Sequence, residues 1–115
     1  MPQFVPPGIS RIEEHRLVRA AAFLRGVLPM PEISRFFGIV ISINYNDHAP
    51  PHFHARYGGY KAIIDIQLVS LLEGSLPTRV LGLVTEWAGQ HRAELLADWE
   101  LARQNAPLNR IPPLE

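Results

Sequence analysis

His52-Phe53-His54-Ala55-Arg56-Tyr57-Gly58-Gly59-Tyr60-Lys61-Ala62-Ile63-Ile64-Asp65-Ile66 is the stretch that decides the fold. Two short runs of alternating polar and apolar side chains flank a glycine pair, which supplies the positive φ a two-residue hairpin loop requires. A loop at Gly58-Gly59 sets the register: Tyr57 opposite Tyr60, Arg56 opposite Lys61, Ala55 opposite Ala62, His54 opposite Ile63, Phe53 opposite Ile64 and His52 opposite Asp65. Alternation then sorts the side chains by face. Phe53, Ala55, Tyr57, Tyr60, Ala62, Ile64 and Ile66 make an apolar face suited to pack beneath a helix, and His52, His54, Arg56, Lys61 and Asp65 make a polar one.

Working outward, Ile39, Ile41, Ile43 and Tyr45 alternate with Val40, Ser42 and Asn44 as a half-buried strand does. Asn46-Asp47-His48-Ala49-Pro50-Pro51 is a loop, because successive prolines cannot donate to a ladder and Asn-Asp initiates turns. Downstream, Leu68 to Leu72 either extends the second hairpin strand or begins another, ending at Glu73-Gly74-Ser75. Ser75 and Pro77 then read as a cap and a first-turn proline. Val80, Val84, Trp87, His91, Leu95 and Trp99 recur at steps of three and four, so a helix runs to about Gln104, with Gly89 as the point where it divides.

At the other end, three prolines in the first seven residues predict an extended arm. The capping box Ser10…Glu13 opens a helix near 10–25 with Leu17, Val18, Ala21, Leu24 and Leu28 on one face and Arg11, His15, Arg19 and Arg25 on the other. The expected architecture is α+β: an N-terminal helix, a three-stranded antiparallel sheet with strands near 38–45, 52–57 and 60–67, and a long C-terminal helix packed on one face. Residues 1–29 form an arm-and-helix extension and residues 30–115 a single domain. The tail from Asn105 reads as an extended proline-rich end.

Composition excludes several classes of function. The 115 residues are 47% hydrophobic, enough for a core without disulfide or metal staples. There is no cysteine, which removes thiol nucleophiles and thiolate zinc sites and agrees with a reducing, cytoplasmic setting. No apolar run is long enough to span a bilayer and no signal-peptide layout opens the chain, so a membrane is not an expected partner. A formal charge of zero argues against gripping nucleic acid by bulk electrostatics.

The polar hairpin face is the candidate site. Cross-strand partners stand about 5 Å apart at Cβ, so Asp65 is placed to orient the ring of His52. His52 and His54 supply a proton acceptor and a proton donor, and Arg56 and Lys61 supply cations for a phosphate, an acid–base set for RNA cleavage without metal or other cofactor. The same stretch supports a metal reading. His48, His52 and His54 form H-x₃-H-x-H, and neutral imidazoles at that spacing suit one divalent metal such as zinc or nickel, with Asp47 or Asp65 as a fourth ligand or as the partner of a ligating ring. A third reading leaves these histidines as solvated sheet surface. His91, Trp87 and Trp99 fall on the apolar helix stripe and are expected in the core.

The runs Met30-Pro-Glu-Ile-Ser-Arg-Phe-Phe-Gly-Ile-Val-Ile41, Tyr45-Asn-Asp-His-Ala-Pro-Pro-His-Phe-His-Ala-Arg-Tyr-Gly58 and Leu72-Glu-Gly-Ser-Leu-Pro77 resemble the bacterial family called domain of unknown function 4160, over residues 30–115. That family usually starts at the equivalent of Met30, which implies that residues 1–29 are an upstream extension or an extra helix. The resemblance carries no assigned activity. It implies a small cognate protein from an adjacent gene as partner and a module of toxin–antitoxin type, hence RNA as a candidate target. The order of elements has a fainter likeness to mRNA-interferase toxins of the HicA type, in which His52 or His54 would take the place of the catalytic histidine; the basic charge and the Gly-Ser-His lead-in of those toxins are missing. A non-catalytic module that binds a metal or a protein on the same face, and a homo-oligomer formed through the N-terminal helix, are the expectations from other classes.

Overall fold

The computed structural model describes residues 31–115; the expected N-terminal arm and helix lie outside the described residues. Five strands form one antiparallel sheet in the order β1-β2-β3-β4-β5: β1 Glu32–Phe36, β2 Ile39–Ser42, β3 His52–Tyr57, β4 Tyr60–Asp65 and β5 Ser70–Gly74. Two helices follow, α1 Thr78–Gln90 and α2 Arg92–Arg103. The α+β class is as expected, but the sheet has five strands where three were expected, and the C-terminal helix is two.

The central hairpin has the register read from Gly58-Gly59, from Tyr57 opposite Tyr60 to His52 opposite Asp65. The first extra strand arises because Phe37 and Gly38 both adopt positive φ (51° and 79°), the geometry of a primed two-residue turn that folds Glu32–Phe36 back on Ile39–Ser42. Phenylalanine is an unusual first residue for such a turn, so the signal was masked. The last extra strand follows a loop in which Asp65 Oδ1 accepts the Leu68 N–H at 2.8 Å, an Asx-type closure that reverses the chain onto β4.

The apolar faces of the strands meet the helices. Trp87, fully buried, packs between Phe36 (ring centroids 5.3 Å) and Phe53 (5.9 Å, edge to face), joining α1 to three-strand depth of sheet. Burying Phe53 and Trp87 alone contributes roughly 3–6 kcal/mol of transfer free energy. The helices part at His91, two residues beyond Gly89. Its φ of −119° leaves the helical region, its N–H still closes α1 on Trp87 and Ala88, and its Nδ1 lies 2.6 Å from Glu94 Oε1. His91 is half-buried against Trp87, close to the core role expected of it. The helix begins after Pro77, which occupies the cap position itself; Ser75 does not cap it but donates its N–H to the Lys61 carbonyl at 3.0 Å as a continuation of β5.

The proline-rich tail is docked rather than free. Ile111 N–H donates to the Ile33 carbonyl at 2.8 Å, Trp87 Nε1–H donates to the Pro112 carbonyl at 2.8 Å, and Ile111 and Leu114 are buried. The tail thus covers the β1 edge, which an open sheet would leave unpaired. No helix among the described residues is long and apolar enough to cross a membrane.

Candidate metal centre

The helices cover one face of the sheet, so the polar face of β3 and β4 is left to the β2–β3 loop. That loop, residues 43–51, includes a cis Ala49–Pro50 peptide and is tied to α2 by the Asn46 N–H on the Ala102 carbonyl. It folds Asp47 over the start of β3. His52 is 5% exposed, with its ring 5.0 Å from that of Trp99 and 5.5 Å from that of His54.

The hydrogen bonds of His52 determine what its ring can do. Nδ1 lies 2.7 Å from the Pro50 carbonyl oxygen, which can only accept, so the proton is on Nδ1. In the neutral ring Nε2 then carries a lone pair, yet it faces Asp47 Oδ2 at 3.0 Å. His54 Nε2 approaches the same oxygen at 3.8 Å, and the three donor atoms lie within 4.8 Å of one another. Asp47 Oδ2 can only accept, so what lies between it and His52 Nε2 is a second proton on the ring or a metal ion. Ligands of a tetrahedral ion at about 2.0–2.1 Å stand roughly 3.3–3.5 Å apart, a value that the two separations from Asp47 Oδ2 bracket.

The electrostatics of Asp47 and His54 follow from the same contacts. Burial works to raise the pKa of Asp47, but the His48 N–H, at 2.8 Å, and the His52 ring outweigh it and hold the carboxyl below the ordinary aspartate value. Burial and then the neighbouring His52 hold His54 below the ordinary histidine value, so its ring is neutral near pH 7, the form that binds metals. Asn44 completes the cluster. Its Nδ2 is 3.3 Å from His54 Nε2 and 3.5 Å from Asp47 Oδ2, while its Oδ1 is buried without a partner. Turning that amide end for end would point Oδ1 into the cluster as an oxygen donor, an arrangement that fits a cation.

The expected residues are therefore divided. His52 and His54 come together, as their alternation along β3 required. Asp65 does not orient His52: its Oδ1 caps the Leu68 N–H, and Asp47 takes the expected role from the loop. His48 stands outside the three-atom cluster, exposed, with Nδ1 3.0 Å from the other oxygen of Asp47. Arg56 and Lys61 lie further along the same face, exposed, on the far side of His54 from Asp47. Asn44 and Glu73 were not singled out. Asn44 is in phase with Ser42 on the polar side of its strand, which was the signal for it; Glu73, opposite Ile63, needed the stretch after Leu68 to be a separate strand and not an extension of β4, an alternative that the sequence left open.

A five-stranded antiparallel meander with two C-terminal helices and a histidine–aspartate cluster on its open face defines a small α+β domain with one polar site. The chain belongs to the family Domain of unknown function (DUF4160), whose model matches residues 38–100, more than half of the chain and all of the site. No curated protein and no solved structure matches it.

Proposed function

We propose that this domain binds one divalent transition metal of the zinc class through Asp47 Oδ2, His52 Nε2 and His54 Nε2, with the Asn44 amide oxygen as a fourth donor. The observation that carries the reading is the Pro50 carbonyl, which fixes the proton on His52 Nδ1 and turns Nε2 toward a carboxylate and a second imidazole. Two nitrogen and two oxygen donors suit zinc, nickel or cobalt rather than calcium or magnesium. A metal held this way lowers the pKa of a water that reaches it, which would give the domain a nucleophile at neutral pH. His52, with both ring nitrogens engaged and its ring buried, suits ligation better than proton exchange with a bound RNA.

The test is metal content of untagged protein, followed by cobalt(II) titration read by visible absorption. One metal per chain is expected, lost in His52→Ala and His54→Ala and weakened in Asp47→Asn, with Lys61→Ala unchanged. Metal-free protein that takes up no zinc or cobalt at one equivalent would refute the proposal and leave the converging atoms as an imidazolium–carboxylate pair.

A further inference from the structure

The polar face of the sheet carries a second cavity, of about 310 Å³, whose lining includes Ser42, His54, Arg56, Lys61, Ile63 and Glu73. It adjoins the cavity over the metal cluster, and His54, Ile63 and Glu73 line both. Arg56 and Lys61 are cross-strand partners with Cβ atoms about 5 Å apart, so their charged heads can meet at one ligand. Among the described residues neither makes an ion pair or a side-chain hydrogen bond. Arg35, Arg103 and Arg110, by contrast, all hold glutamates. Two cations left open beside each other, against the single carboxylate of Glu73, make an anion-attracting wall, and the half-buried Ile63 gives it an apolar floor.

We infer that this cavity is a phosphate-binding site for a phosphate ester of the nucleotide class, with the Arg56 guanidinium forked onto two phosphate oxygens and Lys61 adding a point charge. A dianion matches two cations, which favours phosphate over carboxylate, and the Arg fork matches its geometry. The organic body of the ester lies over Ile63 and the His54 ring, and Glu73 accepts a hydroxyl of the sugar. The site shares the His54 wall with the metal centre but draws its affinity from Arg56 and Lys61, so it stands whether or not the metal reading does.

The experiment titrates untagged protein, with one equivalent of zinc and after chelation, with inorganic phosphate, AMP and a single-stranded oligoribonucleotide, followed by calorimetry and competition. The expected result is one site at which phosphate competes with AMP, weakened by about tenfold in Arg56→Ala and again in Lys61→Ala, with inorganic phosphate tightened in Glu73→Gln. Equal affinities for AMP and the oligonucleotide assign a small ester; much tighter oligonucleotide binding, lost in the same variants, assigns an RNA strand. Absence of binding by all three probes, or undiminished binding in a folded Arg56→Ala, Lys61→Ala double variant, overturns the inference. Protein that binds zinc at one equivalent and no phosphate overturns this inference alone; protein that binds phosphate and no zinc overturns the metal proposal alone.

Discussion

Gly74 and Gly58 both have positive φ, +81° and +56°, yet replacing each by alanine should give very different losses. A left-handed backbone costs an alanine roughly 1–2 kcal/mol at either place. At Gly58 nothing lies within 4 Å of the position a Cβ would take, so that is the whole cost. At Gly74 the Cβ runs into the Lys61 carbonyl oxygen, with the Lys61 carbonyl carbon and Ala62 Cα each 3.0 Å away. All three are backbone atoms of β4, held in the ladder, and none can swing aside as a side chain could. β5 must move away, and the 3.0 Å bond from Ser75 N–H to that same Lys61 oxygen goes with it. Overpacking against backbone costs about 1–3 kcal/mol and the lost bond about 1 kcal/mol more. Gly74→Ala should therefore lose about 3–6 kcal/mol and Gly58→Ala about 1–2 kcal/mol. Urea unfolding of the two variants gives the difference, and hydrogen exchange should show the Gly74→Ala loss first in β5 amides. If the two variants lose the same free energy, or if exchange quickens evenly over all five strands, the reasoning from backbone clash is wrong.

Four further outcomes are expected. Burial holds the Asp98 carboxyl above the ordinary aspartate value, against the pull of the Asn109 N–H and with Glu94 adding to the rise, so the native state binds this proton more tightly than the unfolded chain. Stability from this group is then fully present at acid pH and falls as pH rises through the native value; Asp98→Asn, which can still accept the Asn109 N–H, should gain on wild type in urea midpoints as pH rises from below the ordinary aspartate value, and a pH-independent difference would count against it. Trp87→Phe removes the bond to the Pro112 carbonyl and part of a fully buried ring, and should cost about 2–3 kcal/mol and free the tail to proteolysis; a tail equally protected in the variant would refute its anchoring role. Phe53→Ala opens the core beneath Trp87 and should cost about 3–5 kcal/mol, enough to leave much of the protein unfolded at 37 °C by circular dichroism. Zinc at about a hundred times its dissociation constant should stabilise the fold by about 2.7 kcal/mol, seen as a rise in melting temperature that EDTA reverses; no rise would count against the metal centre.

What the sequence made legible follows from how locally each feature is specified. The β3–β4 register was readable to the residue because two glycines and a period of two leave one pairing that buries Phe53 and Ile64 together. The outer strands were not, since β1 depends on a Phe-Gly turn with no usual signature and all five residues of β5 are exposed and lack a buried face to give them a period. The tail escaped for a similar reason. Proline-rich composition predicts a stretch without helix, and residues 106–115 have neither helix nor strand; that Ile111 and Leu114 are buried is decided by the slot beside β1 and Trp87, which exists only once the sheet has formed.

The candidate site shows the same division at the scale of one carboxylate. Two aspartates were within reach of His52 by sequence, Asp65 across the hairpin and Asp47 in the loop, and the ladder made Asp65 the easier choice. Cross-strand proximity sets Cβ positions and not the direction of a short side chain; Asp65 sits at the last ladder position before a turn, where an unpaired backbone donor, the Leu68 N–H, is nearer than any ring nitrogen. Once its oxygen closes that turn, His52 is free to be claimed by whatever the loop brings. The loop brings two acceptors to the one ring: the Pro50 carbonyl, which takes the Nδ1 proton, and Asp47, which faces Nε2. It also brings His54 and Asn44 toward the same carboxylate oxygen, so either an imidazolium proton or a bound cation satisfies the arrangement, and metal content, rather than nuclease activity, is the assay that separates the two.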